Sequence, residues 1–481
     1  MIQTRIFCLL TLKRLQPEGG FRMARLETLA KEIVSELRRI QNLPAEKIAQ
    51  EWKSYNNFPL PSMLGRGDGH GTIISPQIDK KILELGKEYL NTNPRLKTRY
   101  RNAELEKLIR ETLGLAFVKV DFQKSDDENG REIFSDLDEA LNHQSKSYED
   151  IEQAFACTLF AKTNIPAFSI GPALFENRLT WLDRKNAEGS IRSIDCRRIK
   201  QKWMGHKLKK RKNAKDNYRE QAIVEAIGYN HYVCSVVVKG LPSETAHDKA
   251  LTIARFALTA IALIWDTSSK ALNGFNLSYD RTYYLQRTLS FSGGVIRGGG
   301  GGYSHNPHGQ FIDPKQWSVE LQKFQDIFLV CGDVFEYILN PDTHSSTRSK
   351  ILDTFSHAMM WFYAGCRERD TLIAIVKYAA CLDALACGKK AGGIQSLTTK
   401  QMGVERNKTL FKHDPRTMKQ VVEEIYDAGR SRTIHGTNDR LGHDWSTTRT
   451  QAEVLARHCL VLCLEKAANN PSMSDPKEFS N

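Results

Sequence analysis

The stretch Arg430-Ser431-Arg432-Thr433-Ile434-His435-Gly436 sets an arginine and a histidine five positions apart at the end of an expected helix. Arginine is a permanently charged, forked phosphate binder. Histidine is the side chain whose ordinary pKa suits moving protons near neutral pH. The pair points to chemistry on a phosphodiester. Cleavage by RNA's own 2′-hydroxyl needs a proton acceptor, a proton donor and a cation beside the crowded phosphorus. His435 is a candidate acid or base, and Arg430 a candidate for holding a phosphate oxygen by two parallel hydrogen bonds. Helix carbonyls point outward at this end and favour positive charge. Five residues on an ideal α-helix turn by about 140°, so the two side chains do not share a face. Either Arg430 bends toward the helix end or the pair combines across two chains. Arg432, three residues before His435 and on its face, is a rival phosphate ligand, and Ser431 can donate one hydrogen bond. The plainer reading is a helix-end arginine and a capping histidine that stabilise a bundle.

The elements that must position these groups are helical. Asp414-Pro415 offers an N-cap and a first-turn proline, so a helix is expected from there through Met418, Val421, Val422 and Ile425 to His435, with Gly436 ending it. Apolar spacing predicts one helix carrying Ile351, Leu352, Phe355, Met359 and Phe362. A second, over 368–386, carries Leu372, Ile375, Val376, Ala379, Leu382 and Leu385. A connector with Gly392-Gly393 follows, and a last helix covers about 450–468. Four helices make residues 351–470 an all-α bundle, preceded by a turn-rich linker at 341–350 and followed by a disordered tail at 471–481.

This region resembles the HEPN superfamily, in particular the Apea-like HEPN domains. The residues that carry the resemblance are Arg430 and His435 with Gly436 behind them, Tyr426 upstream, and the alanine-rich helix ending Ala380-Cys381-Leu382-Asp383-Ala384-Leu385-Ala386. It covers about a quarter of the chain. The resemblance implies a metal-independent endoribonuclease, without cofactor, active as a homodimer whose two motifs face each other across the C-terminal bundle. It implies Arg430 and His435 as catalytic groups, and it gives Asp383, at the flank of an apolar stripe, as the acid that would orient them. Many family members place Asn, Asp or His directly after the arginine, where this chain has Ser431. Such proteins act in bacterial anti-phage defence or growth arrest by cutting cellular RNA. That implies an N-terminal region sensing a phage or host trigger. The rivals are a non-catalytic HEPN-like module for dimerisation or nucleotide binding, and a nucleic-acid-binding regulator.

The regulator reading rests on a second feature. The formal net charge is +13, with 69 Lys and Arg against 56 Asp and Glu, which favours an acidic partner, RNA or DNA first. Much of that charge sits between residues 197 and 219. Arg197, Arg198, Lys200, Lys202, Lys207, Lys209, Lys210, Arg211 and Lys212 are candidate phosphate contacts, and Trp203 a candidate stacking ring. The bland alternative is a solvated, mobile loop. The ten cysteines form no C-x-x-C pair and read as small buried hydrophobes in a reduced cytoplasmic protein, with no metal site. The longest apolar run, Ala250 to Trp265, contains Arg255 and is too short to span a bilayer, so no membrane is expected.

Residues 23–340 read as a mixed α/β region without repeats, which makes the whole chain α+β. Residues 1–22 are a candidate non-native extension, with Met23 as an alternative start. Helices are expected over 24–41, 78–90 and 102–113, and strands over Leu115–Phe122, Ala167–Ile170 and His231–Val238. Lys124–Arg131 reads as a turn, and Gly65–Gly71 as a surface loop lacking the Lys-Ser/Thr ending of a P-loop. Thr245 to Asp248 resembles a capping box opening a helix over 246–265. The glycine run 298–302 reads as part of a flexible loop holding His305 and His308.

Overall fold

The computed structural model describes residues 16–56, 61–228, 230–280, 285–303, 309–340 and 347–480. The chain is mixed α+β, with a helical C-terminal region. It parts into two units, one made of residues up to 151 together with 238–248, the other of 152–237 and 249–481. The division falls near residue 151; of the expected linker 341–350, residues 341–346 lie outside the described residues.

The first unit is built on α1 (Gln16–Gln41), α2 (Ala45–Asn56), the hairpin β1 (Met63–Gly65) and β2 (Gly71–Ile73), α3 (Pro76–Thr92), α4 (Pro94–Arg99), α5 (Asn102–Lys119) and α6 (Asp126–Ser147). The expected stripe Leu26, Leu29, Ile33, Val34 and Leu37 is buried against Ile78, Ile82, Leu85, Ile109, Ile133 and Leu137. Burying each such side chain contributes roughly 1.5–3 kcal/mol. The glycine-rich stretch 65–71 is the tight end of the hairpin, closed by Arg66 N–H donating to the His70 carbonyl at 2.9 Å. Two expectations fail here. No strand forms at 115–122, because α5 continues to Lys119 and leaves Leu115 and Val118 exposed on its outer face. The acidic stretch 124–131 is not a turn. Ser125 accepts from Glu128 N–H and the Glu128 carboxylate accepts from Ser125 N–H, so the pair opens α6.

The second unit holds a five-stranded sheet in the order β4-β5-β6-β3-β7. The strands are β3 (Ile151–Thr158), β4 (Phe168–Ile170), β5 (Ala173–Asn177), β6 (Tyr232–Val238) and β7 (Asn276–Leu277), so the expected strands at 167–170 and 231–238 form. Between β5 and β6 run α7 (Arg178–Ala187), α8 (Ser193–Trp203) and α9 (Ala214–Ile227). The run 197–219 is thus two helices and their connection, not one loop. Next comes α10 (Ser243–Ala262), whose first residues belong to the first unit. Thr245 lies inside it and heads no capping box; its N–H donates to Glu104 at 3.2 Å. After α11 (Ser268–Gly274), the hairpin β8 (Leu285–Ser292) and β9 (Val295–Tyr303) takes up the glycine run, which is a strand, not a loop. The backbone groups on its inner edge pair with β8 in a two-stranded antiparallel ladder. His305 and His308 lie outside the described residues.

Helices α12 (Pro314–Lys323) and α13 (Gln325–Leu339) lead to the C-terminal helices, α14 (Ser349–Arg367), α15 (Thr371–Leu385), α16 (Lys390–Met402), α17 (Met418–Glu423), a π-helical stretch (Glu424–Ser431), α18 (Arg432–Ile434) and α19 (Ser446–Asn469). Gly392-Gly393 is not a connector but the first turn of α16. The helix expected at Asp414 starts at Met418, because Thr417 takes the capping role with Gln420 while the Asp414 carboxylate turns to Arg416, 2.6 Å away. Nor do residues 471–480 form a disordered tail: a 3-10 turn at Pro476–Phe479 buries Phe479 completely, 5.5 Å from the ring of Phe355, and residue 481 lies outside the described residues. No single described helix is long and apolar enough to cross a membrane.

Candidate functional site

Met418 to Ile434 runs as one helical rod whose middle is wound as a π-helix, with Arg432 N–H donating to the Asp427 carbonyl five residues back. Such stretches are rare in helices and recur at functional sites. One cause is local. Gly429 is pressed against α15 so closely that a Cβ there would lie 2.6 Å from Ile375 Cγ2. Gly436 ends the rod as expected. Its φ of +68° suits glycine, and the N–H groups of Gly436 and Thr437 donate to the carbonyls of Thr433 and Arg432. The chain beyond is pinned: Asn438 Nδ2 donates to Thr433 Oγ1 at 2.9 Å, and Arg440 donates to Glu424 at 2.7 Å while stacking 4.7 Å from the Trp445 ring centroid.

Arg430 points inward to α15. Its Nη1 donates to the Tyr426 hydroxyl at 3.1 Å, its guanidinium carbon lies 4.9 Å from the centre of the Tyr426 ring, and Nη2 is 3.9 Å from Asp383 Oδ2. Tyr426 in turn donates to Asp383 Oδ2 at 3.4 Å. Burial pushes the Tyr426 phenol up, the Asp383 charge adds to that, and the Arg430 charge opposes it. The hydroxyl therefore stays protonated and serves as donor. The Nε of Arg430 is buried and has no partner among the described residues.

Asp383 does a second task. Its Oδ1 accepts from Lys390 N–H at 3.0 Å, closing the turn after α15 in which Cys387 and Lys390 both take positive φ, +57° and +58°. That left-handed geometry is disfavoured for side-chain-bearing residues. The turn went unforeseen in the sequence; Gly388 shortly after an apolar helix is the signal that marks it.

Arg430, Tyr426 and Asp383 thus come together. His435 does not join them. It is the residue at which α18 ends, and its imidazole is exposed and makes no hydrogen bond or ion pair among the described residues. Arg432 is exposed and 3.4 Å from Asp439; Ser431 is half-buried, its carbonyl accepting from His435 N–H at 3.0 Å. The arrangement offers a cation held by an internal acid and a free imidazole at the tip of the same rod. A groove of about 520 Å³ beside β4, lined by Phe168, Phe328, Leu329 and Glu336, shares none of these residues.

The basic run separates into two sets. Arg198 and Lys202 both bond the buried Glu220, at 2.7 Å each, Arg211 pairs with Asp195, and Lys200 reaches Asp183 at 2.5 Å. Burial works against ionisation of Glu220, but the hydrogen bonds from Arg198 and Lys202 more than offset it and hold its carboxyl below the usual range. Trp203 is half-buried against the apolar cluster of Trp181, Leu182 and Ile199, with the Arg178 guanidinium 4.9 Å from its ring centroid. Arg197, Lys207, Lys209, Lys210 and Lys212 are exposed, and their side chains carry no ion pair among the described residues.

Eight of the nine described cysteines are buried and Cys387 is half-buried. No family model, curated protein or solved structure matches this chain.

Proposed function

We propose that the C-terminal region is a HEPN-like, metal-independent endoribonuclease that acts as a homodimer on cellular RNA. Within the cytoplasm of a bacterium its role is defence against phage or growth arrest, triggered through the N-terminal region. The observation that carries this reading is the division of labour on one helical rod: a guanidinium steadied by Tyr426 and Asp383, and an exposed imidazole at its end. In the reaction the RNA 2′-oxygen attacks the adjacent phosphorus and gives up its proton, the P–O5′ bond breaks, and the leaving 5′-oxygen takes a proton. A 2′,3′-cyclic phosphate and a 5′-hydroxyl result. His435 of one subunit accepts the first proton and its symmetry mate donates the second. Arg430 neutralises the charge that gathers on the phosphoryl oxygens.

The test uses total RNA and purified protein in excess EDTA, with Arg430→Ala and His435→Ala beside the wild type. Cutting that is lost in both variants supports the nuclease. The competing reading is a non-catalytic module in which Arg430, Tyr426 and Asp383 are a structural tie. It is favoured if wild type leaves RNA whole while Arg430→Ala lowers stability and His435→Ala does not.

A further inference from the structure

The four acids Asp183, Asp195, Asp216 and Glu220 engage a fixed subset of the cations around α8 and α9. Two of these bonds also fasten the connection between the helices. Arg198 donates to the Lys209 carbonyl at 2.8 Å as well as to Glu220, and Arg211 reaches Asp195. What remains is a held loop whose lysines face water: Lys207, Lys209, Lys210 and Lys212. Holding like charges together on an ordered surface costs repulsion that a polyanion relieves. A chance solvated run has no need of such anchoring.

The sequence offers Trp203 as the stacking ring, but that indole is packed into the unit and covered by Arg178. The ring that is free is Tyr218, on α9, with 74% of its surface exposed. Asp216 and Glu220 turn one face of α9 toward Arg211, and Tyr218, two residues from each, lies on the opposite face by helical geometry. Lys215, three residues earlier, is its neighbour on that face and is likewise exposed. A large exposed aromatic beside the exposed Lys215, on a hairpin whose connection carries four more exposed lysines, fits one kind of ligand: a polyanion whose flat bases are free to stack. Duplex bases are not free, and an acidic peptide has no bases.

We propose that the α8–α9 hairpin docks single-stranded polynucleotide, with Lys207, Lys209, Lys210 and Lys212 on backbone phosphates and Tyr218 stacked on a base. This goes beyond the nuclease reading and stands whether or not His435 cuts RNA.

The test measures binding of a labelled single-stranded RNA to the full-length His435→Ala chain, so that cutting cannot interfere. DNA of the same sequence, its duplex, and poly-glutamate are run in parallel, each across a salt series. Tyr218→Ala is expected to weaken single-strand binding by at least about fivefold, with Tyr218→Phe retaining it. Lys209→Gln with Lys210→Gln is expected to flatten the slope of log affinity against log salt by about 0.7 for each phosphate no longer neutralised. Thermal melting checks that each variant is folded; every one of these side chains is exposed. Equal binding of RNA and DNA strands identifies the shared backbone and bases as the ligand, and a preference for RNA adds the 2′-hydroxyl. The proposal is overturned if these variants bind like their parent, if duplex binds as tightly as single strand, or if poly-glutamate competes equally. Absence of cutting by the wild-type chain, with binding intact, strikes only the nuclease reading.

Discussion

Arg430 and Tyr426 lie one turn apart on the same rod, and each constrains the other: the guanidinium stacks 4.9 Å from the ring centroid and donates to the hydroxyl at 3.1 Å. The hydroxyl points its own proton toward Asp383. Tyr426→Phe keeps the ring and the stacking but breaks both hydrogen bonds. A loss of about 1 kcal/mol in stability is expected, read from a urea midpoint. An unchanged midpoint would show that Tyr426 contributes by packing alone.

Asp383 should matter more than its ion pair suggests. The Arg430 guanidinium is 27% exposed and 3.9 Å away, so the charge pair itself is weak. Asp383→Asn keeps an acceptor for Lys390 N–H and is expected to cost about 1 kcal/mol. Asp383→Ala also frees the turn that holds Cys387 and Lys390 at positive φ, raising the loss by about another 1–2 kcal/mol. Chemical denaturation of both variants separates the two effects; equal losses would remove the turn from the explanation.

Two glycines in the rod make opposite demands. At Gly429 a methyl group would strike Ile375, so Gly429→Ala forces the rod from α15 and should cost about 1–3 kcal/mol. At Gly436 there is open space, and the cost of Gly436→Ala comes from its φ of +68° alone, about 1 kcal/mol. Melting temperatures that fall more for Gly436→Ala than for Gly429→Ala would reverse this ranking.

Glu152 makes acid unfolding partly predictable. Burial resists its ionisation, but hydrogen bonds from Arg184, Lys185 and Ser235 more than offset that and bring its carboxyl from an ordinary 4.5 to about 2. Between those values the unfolded chain binds the extra proton, so stability rises with pH there. Its contribution is fully present above about pH 4.5 and is lost as pH falls toward 2. Glu152→Gln should therefore be less stable at neutral pH yet show a shallower decline on acidification, measured by urea midpoints across that range. An identical decline would place the acid sensitivity elsewhere.

The sequence was readable where a pattern had one interpretation. The stripe on α1, the burial of Ile351, Phe355, Met359 and Phe362, and the end of the rod at Gly436 all follow from spacing or from a single residue's geometry. The gathering of Arg430 with Asp383 was legible only through a family resemblance, since no spacing rule brings together residues so far apart in the chain. Where a residue had two possible tasks, local reading chose the wrong one. Asp414 could cap a helix or pair with Arg416, and Thr417 was the better cap. Ser125 and Glu128 sat in a polar stretch that looked like a turn, yet their mutual hydrogen bonds start a helix. The glycine run lacks side-chain signals altogether, and only its partner strand Leu285–Ser292 orders it. Trp203 looked like the aromatic of the basic run because its burial against Ile199 depends on the fold of α8 against its neighbours.

The most direct measurement compares the wild-type chain and His435→Ala on one end-labelled RNA in excess EDTA, with the new ends identified chemically. The expected result is 2′,3′-cyclic phosphate and 5′-hydroxyl ends from wild type, formed at least about 100-fold more slowly by the variant. Intact RNA with wild type, or equal cutting by both proteins, would contradict the assignment of His435.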